Sequence, residues 1–196
     1  MVHPAYSLFF RDSERSAYSE TKYFLLRLQL DREARMAAEL SKAGKTLILI
    51  IPGDYPTESI APLSYTFYLN TVVAPGRSVY YLYSETWNKG GLAMNDMILL
   101  YRFLQTVKAG KVLLGGGYIG RCQREFHTQL TTYFDKAHTY IVPELSSISP
   151  DDLSEKEASD LLAGLRKQDY TLVRRFIDKK AEGNANILSL PQKREL

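Results

Sequence analysis

The chain has 196 residues, 45% hydrophobic and 24% charged, with a formal net charge of +3. That length suits one domain with a full core, the composition indicates neither disorder nor an extreme surface, and the charge is too small to argue for nucleic acid. A single cysteine, Cys122, excludes an intramolecular disulfide and a cysteine-based zinc site, and His3, His127 and His138 show no ligand spacing, so neither metal nor cofactor is expected.

The opening residues, Met1-Val2-His3-Pro4, lack the basic-then-apolar pattern of a signal peptide. No apolar run approaches the roughly 20 residues of a membrane helix. The expectation is a cytoplasmic protein in a reducing compartment, with no membrane contact.

Residues 6–10 form the first apolar run. Residues 31–43 carry Ala34, Ala37 and Ala38 at helical spacing and stop at Gly44. Residues 46–51 are apolar, β-branched and non-alternating, and end at Pro52-Gly53, which reads as a strand buried on both faces. Residues 52–77 are rich in Pro, Ser, Thr and Tyr, with one helical pattern near 60–73. A strand is expected at 78–83, then a helix over 94–109 with Met97, Ile98, Tyr101, Leu104 and Val107 inside. Residues 111–114 read as a strand running into a glycine turn, and 121–135 as a helix. A strand over 138–142 is expected to end at Pro143. Helices follow over 154–165, after a capping Ser149-Pro150-Asp151-Asp152 segment, and over 170–180.

Strands alternating with helices predict an α/β fold: a mainly parallel sheet with helices on both faces, a three-layer, Rossmann-like arrangement. One domain is expected over residues 1–182, with a polar tail over 183–196. Ligands of such sheets bind at the carboxyl ends of the strands, which directs attention to the residues just after each strand.

The segment Gly115-Gly116-Gly117-Tyr118-Ile119-Gly120-Arg121-Cys122 follows a strand and opens a helix. Gly115, Gly117 and Gly120 fit G-x-G-x-x-G, a spacing that lets backbone N–H groups approach a phosphate. Glu144, after the next strand, stands near the position of a ribose-binding acid. This stretch resembles the second dinucleotide motif of flavin-dependent disulfide reductases. Its plain alternative is a tight turn that needs glycine for positive φ. A second reading centres on Cys122, which falls in the first turn of a helix, where the dipole and free N–H groups stabilise a thiolate. Its plain alternative is an inert core cysteine.

The order of elements is similar to that of the isochorismatase-like cysteine hydrolases. That resemblance assigns catalytic roles to Asp12 after the first strand, Lys89 in Thr86-Trp87-Asn88-Lys89-Gly90, and Cys122, with Gly116 six residues ahead of the cysteine. It implies that Cys122 attacks an amide or related carbonyl carbon, that the acid accepts the thiol proton and later activates water, that Lys89 favours the thiolate, and that amides of residues 119–122 hold the oxyanion. Asp54 is the alternative acid. Asp12 is followed by Ser13-Glu14-Arg15 and Cys122 by Gln123-Arg124-Glu125, where the family carries other signatures, so the chemistry stands open between intact and decayed.

Two further features favour surface and core roles. Tyr80, Tyr81, Tyr83 and Trp87 suit packing with hydroxyls at the rim, and Arg166, Lys167, Arg174, Arg175, Lys179 and Lys180 interleave with acids as on a solvated helix face. A small-molecule ligand and a homo-oligomer are the expected partners. Nucleotide binding through residues 115–120 and a non-enzymatic interaction role remain the rival functions.

Overall fold

Three residues at the start of the chain hold the two halves of the sheet together. The computed structural model describes residues 1–6, 18–53 and 78–190. Strand β1 (Leu47–Ile51) pairs in parallel with β2 (Val79–Tyr83), Leu47 opposite Val79 and Ile51 opposite Tyr83. Strand β3 (Val112–Gly117) pairs in parallel with β4 (Thr139–Ser147), which also carries the short β5 (Asn186–Ile187). Val2 bridges Ile50 of β1 and Gly116 of β3, both in parallel. The sheet therefore runs β2-β1-Val2-β3-β4-β5 in one direction throughout.

Among the described residues, five α-helices accompany it. Helix α1 (Glu20–Lys42) starts at Ser19, whose hydroxyl accepts from Lys22 N at 3.3 Å, and ends where Gly44 takes φ +69°. Helices α2 (Met94–Thr106), α3 (Cys122–Tyr133), α4 (Glu155–Arg166) and α5 (Thr171–Ala181) follow. Helix α4 begins with a capping box, in which Ser154 and Glu157 satisfy each other's backbone N–H.

Alternation along β1 shows why both sheet faces are covered. Ile48 and Ile50 join a core with Met97, Leu100 and Leu104 of α2 and Phe126 and Leu130 of α3. Leu47, Leu49 and Ile51 join a second core with Met1, Tyr6, Tyr118 and Ala37 of α1. Successive strand side chains point to opposite faces, so an all-apolar strand requires a layer on each side. Burying one such side chain contributes about 1.5–3 kcal/mol. The α/β class with parallel pairing is thus the fold of the chain.

Several boundaries differ from the sequence expectation. Helix α1 begins eleven residues earlier than residue 31, because its first half mixes Leu25 and Leu26 with buried Gln29 rather than alanines. Strand β4 runs past Pro143. The pairing with β3 jumps there from Leu114 opposite Ile141 to Gly116 opposite Ser146, so the proline sits in a bulge where its missing N–H breaks no ladder bond. Residues 186–187, expected in a polar tail, add β5. Of the expected strand over 6–10 only Tyr6 is described, in a 3-10 turn, and residues 7–10 and the helix near 60–73 lie outside the described residues.

Candidate functional site

The carboxyl edge of the sheet gathers the end of β2, the end of β3 and the start of α3. Cys122 is the first residue of α3 and sits directly after the β3 corner. The Gly117–Tyr118 peptide bond in that corner is cis. The loop after β2 is laid across α3. Gly90 N donates to Glu125 Oε2 at 2.8 Å, Leu92 N donates to Gln129 Oε1 at 2.8 Å, and Gln129 Nε2 returns a bond to Leu92 O at 2.6 Å. Residues 122, 125 and 129 form one stripe of a helix, so the loop reads a single face. A Cβ at Gly90 would overlap the carbonyl of Cys122, which makes glycine necessary at this contact. The structure thereby brings Asn88 and Gly90 onto Cys122, with Lys89 between them in the chain. Lys89 itself is exposed.

The thiol is enclosed. Cys122 is 4% exposed, and its Sγ donates to Asn88 O at 3.4 Å. Burial pushes its pKa up to about 11, with Glu125 adding to the rise and its own backbone N–H and Arg121 opposing it. Arg121 and Arg124, the cations flanking the thiol in sequence, are both paired with carboxylates. Arg121 makes a two-pronged bond to Asp152, at 3.1 and 2.9 Å, and Arg124 lies 3.9 Å from Glu182. The ring of Tyr6 meets Tyr118 edge-on at 5.5 Å, and its hydroxyl donates to Trp87 O at 3.1 Å. Burial and the neighbouring Cys122 raise the Tyr6 pKa. Of the backbone amides at the corner, those of Ile119, Arg121 and Gln123 are taken by Ser147 O and Tyr118 O, while Gly120 and Cys122 have no backbone acceptor among the described residues.

The glycines pack against the chain itself. At Gly115 an added Cβ would overlap Leu145, at Gly116 it would overlap the Val2 carbonyl, and at Gly120 it would press on the Lys180 side chain. Gly115, Gly116 and Gly117 are buried residues of β3 rather than an open turn, and Gly116 and Gly120 carry φ of +92° and +78°. The space a phosphate needs at Gly115 and Gly116 is filled by neighbouring strands. Glu144 is likewise inside β4, buried, with Oε2 lacking a partner. Asp12 and Asp54 lie outside the described residues. Among the described residues, no group of three His, Cys, Asp or Glu side chains is placed to hold a metal.

A second buried polar cluster lies beside this corner and was not singled out from sequence. Glu33 of α1 accepts from Ala5 N at 2.7 Å and from the Ser147 hydroxyl. Burial raises its pKa, opposed by those bonds and by Arg32. Gln29, one turn earlier, clamps the Ile148 backbone with bonds of 2.9 and 2.8 Å. Arg32 donates to Ser146 O and lies 5.5 Å over the Tyr170 ring, with Nε and one terminal nitrogen unpartnered. Tyr118 Oη is also buried without a hydrogen-bond partner. Glu33, Tyr118 and Ser147 border a cavity of about 10 Å³, near the size of one water. The legible signal was the spacing Leu25, Gln29, Glu33, Ala37, which puts two polar residues on the buried stripe of one helix.

Fold and corner together define an α/β protein with a parallel sheet and a cysteine just past the carboxyl end of a strand. No protein-family model matches the chain, and neither does any curated protein or solved structure. Among the described residues no helix is long and apolar enough to cross a membrane.

Proposed function

We propose that the protein is a hydrolase of the isochorismatase-like kind, acting on a small amide or related carbonyl compound with Cys122 as nucleophile. The observation that supports it most is the docking of the Asn88-Lys89-Gly90 loop onto Cys122, across a wide sequence separation. Strand ends of a parallel sheet are where such folds bind ligands.

In this reading the resting thiol is protonated and parked on Asn88 O. Attack requires that the S–H proton pass to a carboxylate, Asp12 or Asp54, as the S–C bond forms. The carbonyl oxygen then gains negative charge, which the N–H groups of Gly120 and Cys122 are left to stabilise. Collapse of the adduct expels the amine with a proton, and water cleaves the resulting thioester with the same carboxylate as base. Lys89 supplies positive charge near the thiolate. Nucleotide binding by residues 115–120 has less support, since Leu145 and Val2 occupy the space against Gly115 and Gly116. The single cysteine fits a reducing compartment, and the reading places the protein in the cytoplasm. It takes a small molecule and no nucleic acid, and a homo-oligomer is part of the same reading.

The test is ammonia release from a panel of small primary amides, with mass analysis for an acyl group on Cys122. Turnover that is lost in Cys122→Ser and reduced in Lys89→Met is the expected result. Turnover that survives Cys122→Ser overturns the proposal, and so does a Cys122 that neither acylates nor supports turnover across the panel.

A further inference from the structure

Gly120 has different surroundings from Gly115 and Gly116. It borders a groove of about 270 Å³ between α3 and α5, whose apolar part is formed by buried Ile141 of β4 and Ile177 of α5. Three cations line this groove: Arg124 of α3, Lys136 in the 3-10 turn before β4, and Lys180 of α5. They come from three elements, so the fold and not a run of sequence gathers them. Lys180 lies across Gly120. A Cβ at Gly120 would stand 2.8 Å from Lys180 Cδ and 2.9 Å from its Cγ, so the alkyl chain of the lysine rests on bare backbone. Its ammonium lies 5.4 Å from the centre of the Phe176 ring.

Like charges brought together repel unless an anion neutralises them. Among the described residues, Glu182 is the one carboxylate in the lining. It lies 3.9 Å from Arg124, and both side chains are more than half exposed. A pair that long and that exposed holds little. Among the described residues neither Lys136 nor Lys180 forms an ion pair. The carboxylates next in sequence to Lys136 and Arg124 are engaged elsewhere: Asp135 bonds Ala137 N and His138, and Glu125 accepts from Gly90 N. A buried polar ring also lines the groove. His127 is 8% exposed, and its Nε2 has no hydrogen-bond partner. Burial lowers its pKa, and the charge of Lys136 lowers it further.

We infer that this groove binds a phosphorylated small molecule, with the phosphate held by Arg124, Lys136 and Lys180 and the organic part lying on Ile141 and Ile177. Charge selects the class of ligand. Three cations and one carboxylate leave two positive charges, which the near-dianion of a phosphate monoester matches at neutral pH. A guanidinium grips phosphate oxygens in pairs, and lysines add point charge. Size selects within the class. Sites for drug-sized ligands run to about 300–1,000 Å³, so this groove takes an ester of a few carbon atoms rather than a nucleotide. The Thr128 hydroxyl and the Asn184 amide share the lining and suit the hydroxyls of such an ester. Residues 122, 125 and 129 of α3 face the loop after β2, whereas 124, 127 and 128 face the groove. The site is therefore separate from the thiol, and the inference goes beyond the hydrolase proposal without resting on it.

The probe is glycerol 3-phosphate, added to the full chain at fixed ionic strength and read by calorimetry and by NMR titration of the His127 ring. The expected result is one site with a Kd of about 1 mM or tighter, and a His127 pKa that rises on binding because nearby negative charge favours the imidazolium. Lys180→Met and Arg124→Gln each weaken binding about tenfold or more. Lys179→Met removes an equal charge one residue outside the lining and leaves binding unchanged. Inorganic phosphate binds more weakly than the ester, since it leaves Ile141 and Ile177 uncovered. Inorganic phosphate that binds as tightly as the ester identifies an adventitious ion only and overturns the inference. Equal losses in Lys179→Met and Lys180→Met, a His127 pKa unmoved at saturation, or no binding at about 20 mM ester overturn it as well.

Discussion

The Sγ of Cys122 donates to the carbonyl oxygen of Asn88 at 3.4 Å, and this contact ties the first turn of α3 to the loop after β2. It also sets the reactivity of the only thiol. With its pKa near 11, the thiolate fraction at pH 7 is on the order of one in ten thousand. Iodoacetamide labelling of the folded protein is expected to be at least about a hundredfold slower at pH 7 than in urea, and to rise close to tenfold per pH unit up to about pH 11. The unfolded chain ionises this thiol at a lower pH than the folded one. Stability is therefore complete below the ordinary thiol pKa and is lost as pH rises toward 11, by on the order of 2 kcal/mol. Urea unfolding of wild type and Cys122→Ala between pH 8 and 11 checks the sign, since the variant lacks this part of the slope.

His3 gives the opposite slope. Its Nε2 lies 2.9 Å from Ser84 Oγ, its ring stacks on Tyr6, and Nδ1 is buried without a partner. Burial lowers its pKa to about 3. The folded state holds the neutral ring while the unfolded chain protonates near pH 6.5. The contribution is present above pH 6.5 and is lost as pH falls toward 3, costing on the order of 2 kcal/mol already at pH 5. His3→Gln is expected to flatten the loss of stability between pH 7 and 4 in urea titrations. An unchanged acid slope would refute the assignment.

The central frame was legible in sequence because it rests on local patterns. The run Leu47 to Ile51, the glycine stop at Gly44, and the apolar stripe of Ala158, Leu161, Leu162 and Leu165 each announce an element by themselves. The family resemblance paired Lys89 with Cys122; the structure sets the neighbouring Asn88 and Gly90 against Cys122, leaves Lys89 exposed, and fastens that loop to α3 through Gly90 and Glu125. What could not be read were relations created only by the fold. Val2 looks like one residue of an irregular start, yet it completes the sheet. Gly115 and Gly116 look like a phosphate turn, yet they are glycines because Leu145 and Val2 press on them. Glu33 and Arg32 look like surface charges on a helix, and become buried only because α1 lies over the end of β4.

That burial makes Glu33 a structural carboxyl. Removing it strands two donors, Ala5 N–H and the Ser147 hydroxyl, in a dry environment. Glu33→Ala is expected to cost about 2–4 kcal/mol, since unsatisfied buried donors add to the lost packing. Glu33→Gln keeps one carbonyl acceptor and is expected to cost less. The ordering of the two variants in urea melts is the measurement. Equal stabilities would mean that the carboxyl is not the group that organises residues 5 and 147.

The glycine at the loop contact offers a test that separates packing from chemistry. A Cβ at Gly90 collides with the Cys122 carbonyl, and backbone cannot yield as a flexible side chain could, so Gly90→Ala must push the loop off α3. The expected cost is about 2 kcal/mol or more, with the bonds to Asn88 O and Glu125 Oε2 weakened together. Release of the loop opens the thiol to water, which lowers its pKa toward the ordinary value and speeds alkylation at pH 8. Gly110→Ala is the control, for an added Cβ there meets nothing within 4 Å, and it is expected to be neutral or to stabilise by up to about 1 kcal/mol. Faster labelling in Gly90→Ala, with Gly110→Ala unchanged, would show that the loop bearing Lys89 is the cover over Cys122. Identical labelling rates in both variants would assign that enclosure to another part of the chain.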